Sequence, residues 1–151
     1  MAADWLTIRV ELLEGRGEPL EPAPGRVYLV GPRHTFADLA EAIDSGFARW
    51  DIGHLSEFEL SDGRRLGPVD EDAPADLEDR ASTAVSSAVR SGEEFTYVFD
   101  FGDQWVHSCR VEGRPDPEDI PRPATPLPVA IEGWGWIPDQ YGREREDEEP
   151  G

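Results

Sequence analysis

Asp100, Asp103 and His107 are the residues whose types and spacing come closest to a reactive centre. Two carboxylates and an imidazole, joined by His54 from further up the chain, form a donor set that suits zinc or manganese and metal-assisted hydrolysis. A plainer role competes with that one. Aspartates in turns commonly accept hydrogen bonds from the amides that follow them, and a histidine in an alternating apolar run packs as a core residue. Asp100-Phe101-Gly102 matches the kinase metal-binding tripeptide in letters only, because no lysine, glycine-rich loop or catalytic-loop motif accompanies it. His54 and Glu57 would lie on opposite faces of a strand and cannot share an ion. A second group, Trp134, Trp136, Asp139 and Tyr141 punctuated by glycines, suits recognition of a protein or peptide, and Trp105 joins the binding candidates. The competing role for these rings is to anchor the C-terminal segment on the sheet. Neither a cofactor nor a metal is assigned.

Composition narrows the function further. The 151 residues carry a formal net charge of −19, and all 14 basic residues are arginine. Without lysine there is no Walker A loop and no Schiff-base chemistry. Such a surface repels DNA, RNA and anionic membranes, so no nucleic-acid or membrane partner is expected. A solvated acidic exterior is the plain explanation of the charge; an acidic mimic of DNA that occupies a basic protein is the sharper one. Cys109 is the single cysteine, which fits a buried thiol in a reducing compartment. The N-terminal run MAADWLTIRVELLEG is broken by Asp4, Arg9 and Glu11, so it reads as neither signal peptide nor membrane span. A soluble cytoplasmic protein is expected.

The candidate residues hang on a hairpin whose register the sequence specifies. In FTYVFDFGDQWVHSCRVE (95–112), apolar and polar residues alternate on both sides of a Gly-Asp turn, the strongest short-range hairpin signal. A Phe101-Gly102-Asp103 loop sets Phe99 opposite Trp105, Tyr97 opposite His107 and Phe95 opposite Cys109. Slipping by one residue would scatter the aromatics over both faces. Gly102 is expected to supply the unusual backbone angles.

Around the hairpin, strands are predicted over 4–13, 26–30 and 54–60, with a short one at Arg65-Leu66. Thr35 and Asp38 form a capping box that opens a helix. Phe36, Leu39, Ile43, Phe47 and Trp50 line its apolar stripe. Residues 68–80 read as an acidic surface loop, and 81–90 as a short helix or partly extended segment. The expected fold is α+β: a mainly antiparallel sheet packed on one principal helix in β-grasp-like order, with a Pro-rich C-terminal wrap. One domain spans 1–143, including the Pro-rich extended segment 113–128, and 144–151 is an acidic disordered tail.

With these elements in place, HTFADLAEAID, WDIGHLSEFEL and FTYVFDFGDQWVHSCRVEG resemble the plasmid pRiA4b ORF-3-like family, in family order and over roughly two-thirds of the chain. The family's aromatic-Asp-Phe-Gly-Asp-x-Trp-x-His pattern falls on Phe99 to His107. Many relatives end in a Pro-Pro-Glu-Asp-x-Gly-Gly type segment, where this chain has Ile137-Pro138-Asp139-Gln140-Tyr141-Gly142. The resemblance implies an α+β fold and plasmid or mobile-element settings. Some members are labelled transposon resolvases, but the nucleophilic serine and basic reading element of a resolvase are not visible here. The leading expectation is a non-enzymatic module that binds a protein or peptide partner. A metal-dependent hydrolase on the Asp100/Asp103/His107 edge and the acidic mimic are the alternatives.

Overall fold

A computed structural model describes residues 5–49, 55–69, 71, 73–138 and 140. Among them the elements run β1 (Leu6–Gly15), β2 (Glu18–Pro19), β3 (Gly25–Val30), α1 (Phe36–Gly46), β4 (Ser56–Glu59), β5 (Arg65–Gly67), β6 (Leu77–Asp79), α2 (Val85–Ala88), β7 (Glu94–Phe99), β8 (Trp105–Gly113) and β9 (Val129–Trp134), with a 3-10 turn at Pro117–Asp119. One sheet holds every strand, ordered β6-β5-β4-β7-β8-β1-β3-β9 with β2 beside β1. All pairs are antiparallel except β5 with β6. The sheet is open and mixed, and it carries more strands than the β-grasp-like order expected from the sequence.

Helix α1 starts where its capping box says it should. The Thr35 hydroxyl accepts from the Asp38 amide at 3.2 Å, and the Asp38 carboxylate accepts from the Thr35 amide at 2.9 Å. Phe36, Leu39, Ile43 and Phe47 are fully buried, which is the one-sided stripe that helical spacing requires. Trp50 lies outside the described residues. Phe36 meets Phe58 and Phe95 edge-on, at centroid distances of 5.1 and 6.0 Å. Tyr28 reaches under the last turn, its hydroxyl donating to the Ala42 carbonyl at 3.1 Å. A Cβ at Gly46 would stand 2.1 Å from that hydroxyl, so the helix ends on a residue without a side chain.

The hairpin pairs as its alternation demands: Phe99 with Trp105, Tyr97 with His107, Phe95 with Cys109. All six side chains are buried with Ile8, Val10 and Leu12 of the neighbouring strand. The turn corrects one expectation. Asp100 and Gln104, with φ of 64° and 50°, take the left-handed conformations, while Gly102 does not. Aspartate tolerates that region because its carboxylate bonds the amides ahead of it: Asp100 Oδ1 accepts from Gly102 N at 3.1 Å and Asp103 N at 3.3 Å.

Three further strands, β2, β6 and β9, appear where none was expected. β6 lies inside the predicted loop 68–80, and its anchor is an ion pair rather than an alternating pattern. Arg64 grips Glu78 through both Nε and Nη2, at 2.8 and 2.7 Å. β9 begins at Val129, ahead of the tryptophan motif, and pairs with β3 from Leu29↔Val129 to Gly25↔Trp134. The Pro-rich stretch between β8 and β9 is tied down by His34. Its Nδ1 accepts from Gly31 N at 2.8 Å, so its Nε2–H donates to the Thr125 carbonyl, also at 2.8 Å. Among the described residues no helix is long and apolar enough to cross a membrane.

Candidate functional site

The structure separates the residues first considered for chemistry. Asp100 builds the hairpin turn: its amide donates to Leu55 O at 2.8 Å and its carbonyl accepts from Gln104 N at 2.6 Å. Asp103 offers its carbonyl to Arg16 N at 2.7 Å, and its carboxylate stands 4.0 Å from Arg16 Nε. Trp105 and His107 point the other way, into the core, and His107 is fully buried. The His107 Nδ1–H donates to the Tyr97 carbonyl at 3.0 Å. Burial, reinforced by the charge of Arg49, pushes its pKa down to about 3, so the ring is neutral at pH 7. Among the described residues no three of His, Cys, Asp and Glu are grouped to hold a metal ion. His54 lies outside the described residues, as do Asp139 and Tyr141.

Trp134 and Trp136 belong to a different place. β1 and β3 stand between the hairpin and β9. Trp134 packs across the sheet under the Arg9 guanidinium, 4.2 Å from its ring centre, while Trp136 is 61% exposed. Among the described residues β9 is the last strand of the sheet and is paired on one side only. Its residues Ala130 to Gly133 are exposed, Ile131 at 44%. On the far side, at the opposite end of the sheet, Leu55, Pro68, Pro74, Leu77 and Phe101 line a cleft of about 350 Å³.

A buried polar centre forms where α1 ends over the inner face of the sheet. The Tyr97 hydroxyl donates to Asp44 Oδ1 at 2.8 Å, and Arg80 Nη1 donates to the buried Ser56 Oγ at 2.7 Å. Burial raises the Asp44 pKa to about 7, against the opposing pull of the Tyr97 hydrogen bond, Arg49 and Arg80. Arg49 is itself buried, and desolvation lowers it to about 10, which leaves it cationic. Its guanidinium stacks 4.3 Å from the Trp105 ring centre. Trp105 lies flat across the end of β1, where a Cβ on Gly15 would come within 1.9 Å of Cε3. The Cys109 thiol is buried and its pKa raised by desolvation alone, so it is an inert packing group.

Sequence reasoning missed Asp44, Arg49, Ser56 and Arg80. Asp44 carries a readable trace: it stands four residues after Ala40 and next to Ile43, at the margin of the apolar stripe. Arg49 carries none, being one arginine of 14 with no pattern around it that marks it for burial.

Comparison with known proteins matches this architecture to relatives described only in general terms. A protein of Sinorhizobium fredii (strain NBRC 101917 / NGR234), the uncharacterized protein y4hQ, is 29% identical over 141 residues, covering 93% of this chain and 67% of that one. The crystal structure of MM3350, a protein of unknown function from Methanosarcina mazei Go1, superposes with a TM-score of 0.65 at 22% identity. That match covers 85% of this chain and 68% of the other, and it speaks to the fold. Residues 7–142 match the family of plasmid pRiA4b ORF-3-like proteins.

Proposed function

Since the chain belongs to the plasmid pRiA4b ORF-3-like family, whose description carries no reaction, we propose that it acts as a binding module for a protein or peptide partner. The observation that carries this reading is the edge of β9, six residues long and, among the described residues, paired only with β3. Unpaired strand edges are templates for another strand, and natural proteins cover or blunt them unless they are used. Here the edge presents Ile131 and lies beside the exposed Trp136. An extended segment added there would gain backbone hydrogen bonds, with alternate side chains reading Ile131 and the tryptophans. Asp139 and Tyr141, which follow in sequence, belong to the same assigned contact. A charge of −19 selects a segment with arginine or lysine beside an apolar residue.

Binding is favoured over hydrolysis by the way Asp100 and His107 are used. One is consumed by its own turn, and the other is sealed in the core beneath α1. The setting we assign is a plasmid or mobile-element context in the cytoplasm. The test is a pull-down from the native cell at low and high salt, run with the wild-type chain and with an Ile131→Glu/Trp136→Ala variant. A partner held at high salt by the wild type and lost by the variant supports the reading. A partner held equally by both removes the β9 edge, and capture that vanishes with salt in both favours the acidic mimic.

A further inference from the structure

Beneath the end of α1, three neighbouring side chains leave four buried polar atoms with no hydrogen-bond partner among the described residues: Arg49 Nε and Nη2, Trp105 Nε1 and His107 Nε2. The residues are 5%, 2% and 0% exposed, so water does not reach them from outside. Arg49 is tied at one point, Nη1 donating to the Phe47 carbonyl at 2.7 Å. Its unused edge, Nε with Nη2, is the pair of parallel donors that fits the two oxygens of a carboxylate or phosphate. Trp105, stacked against that guanidinium, adds an indole N–H. Trp105 and His107 alternate along β8 and face the same side of the sheet. Because the His107 Nδ1–H is spent on the Tyr97 carbonyl, its Nε2 offers a lone pair.

A buried guanidinium with an idle edge costs several kcal/mol unless something answers it. Asp44, the carboxyl that acts on Arg49 through space, is already bonded by the Tyr97 hydroxyl. An internal water would satisfy a hydrogen bond but neutralise no charge. The atoms on offer are three donors around a cation and one acceptor.

We propose that Arg49, Trp105 and His107 form an internal site for a small carboxylate with an adjacent hydroxyl group. The carboxylate bridges the Arg49 edge and the Trp105 N–H, and the hydroxyl donates to His107 Nε2. This site is independent of the β9 edge and would stand if that reading failed.

A ligand that binds the folded state alone raises the melting temperature in proportion to its occupancy, even when the site opens only on unfolding. The full chain is therefore melted in lactate, acetate and inorganic phosphate at constant ionic strength. Lactate should raise Tm saturably, with acetate about tenfold weaker for want of the hydrogen bond to His107. Arg49→Gln should abolish the response, and Trp105→Phe, which keeps a ring and loses the N–H, should weaken lactate by about tenfold. If Arg49→Gln does not fold, Trp105→Phe decides alone. A flat Tm in all three probes, a preference for phosphate, or full lactate affinity in folded Trp105→Phe would overturn the proposal.

Discussion

Replacing Asp44 by Asn should tilt a stability profile that a half-buried carboxyl and a buried imidazole otherwise hold level. Asp44 has its pKa raised from 3.8 to about 7, and His107 has its pKa lowered from 6.5 to about 3. Between 3.8 and 7 the folded chain holds a proton on Asp44 that the unfolded chain lacks. That contribution is complete below 3.8 and is lost as pH rises through 7. Between 6.5 and 3 the unfolded chain holds a proton on His107 that the folded chain refuses. This second contribution is complete above 6.5 and is lost as pH falls. Across the shared window the slopes oppose each other at about 1.4 kcal/mol per pH unit each. Asparagine keeps an oxygen for the Tyr97 hydroxyl but takes no proton, so only the His107 slope remains. Relative to wild type, Asp44→Asn should lose about 3 kcal/mol between pH 6.5 and about 4.5. Urea unfolding followed by tryptophan fluorescence at closely spaced pH measures this, provided the m-value stays constant. The other carboxylates titrate in both proteins and drop out of the difference. Parallel profiles for the two proteins would refute the opposed pKa shifts of this pair, one raised and one lowered.

Gly15→Ala should destabilise the fold by about 1–3 kcal/mol, because the new methyl meets the rigid, buried ring of Trp105 and overpacks the site; near-ultraviolet circular dichroism should report the displaced indole. Thr35→Ala removes one half of the α1 capping box and should cost about 1 kcal/mol in urea unfolding. His34→Ala frees the Thr125 carbonyl, so hydrogen exchange and protease cleavage over 122–128 should accelerate while the centre of the sheet stays protected. Cys109 should resist a thiol reagent in the native protein and react at once in urea; prompt labelling of the native chain would contradict its burial.

The hairpin was legible because Phe95, Tyr97, Phe99, Trp105, His107 and Cys109 obey a period of two, and only one register buries them together. Helix α1 was legible for the same kind of reason, with Thr35 and Asp38 marking its start and its stripe marking its inner face. Both signals are local. β6 escaped notice because three residues cannot show a period, and what fixes Leu77–Asp79 is Glu78 meeting Arg64, just ahead of β5. β9 escaped because Ala130 to Gly133 face water and have no apolar alternation to display. The polar centre escaped for a third reason. Arg49 and Ser56 are residue types that belong outside, and only the closing of α1 over the sheet buries them, with Asp44 half-buried at the margin. Gly102 drew attention as a glycine in a turn, whereas Asp100 can adopt the left-handed angle by bonding its own loop.

The place of β1 has a bearing on how the molecule is made. Ile8 pairs with Tyr28 on one side and with Val111 on the other. The first partner arrives early in synthesis; the second is roughly a hundred residues further on, the kind of long-range pairing that slows folding. At a ribosomal rate of about 5–20 residues per second, one flank of β1 stays unmatched for about 5–20 s. Throughout that interval Leu6, Ile8, Val10 and Leu12 lack the cover of Trp105 and Cys109, so the nascent chain is at its stickiest just before β8 emerges. Chaperone demand should fall sharply once Gly113 has cleared the exit tunnel.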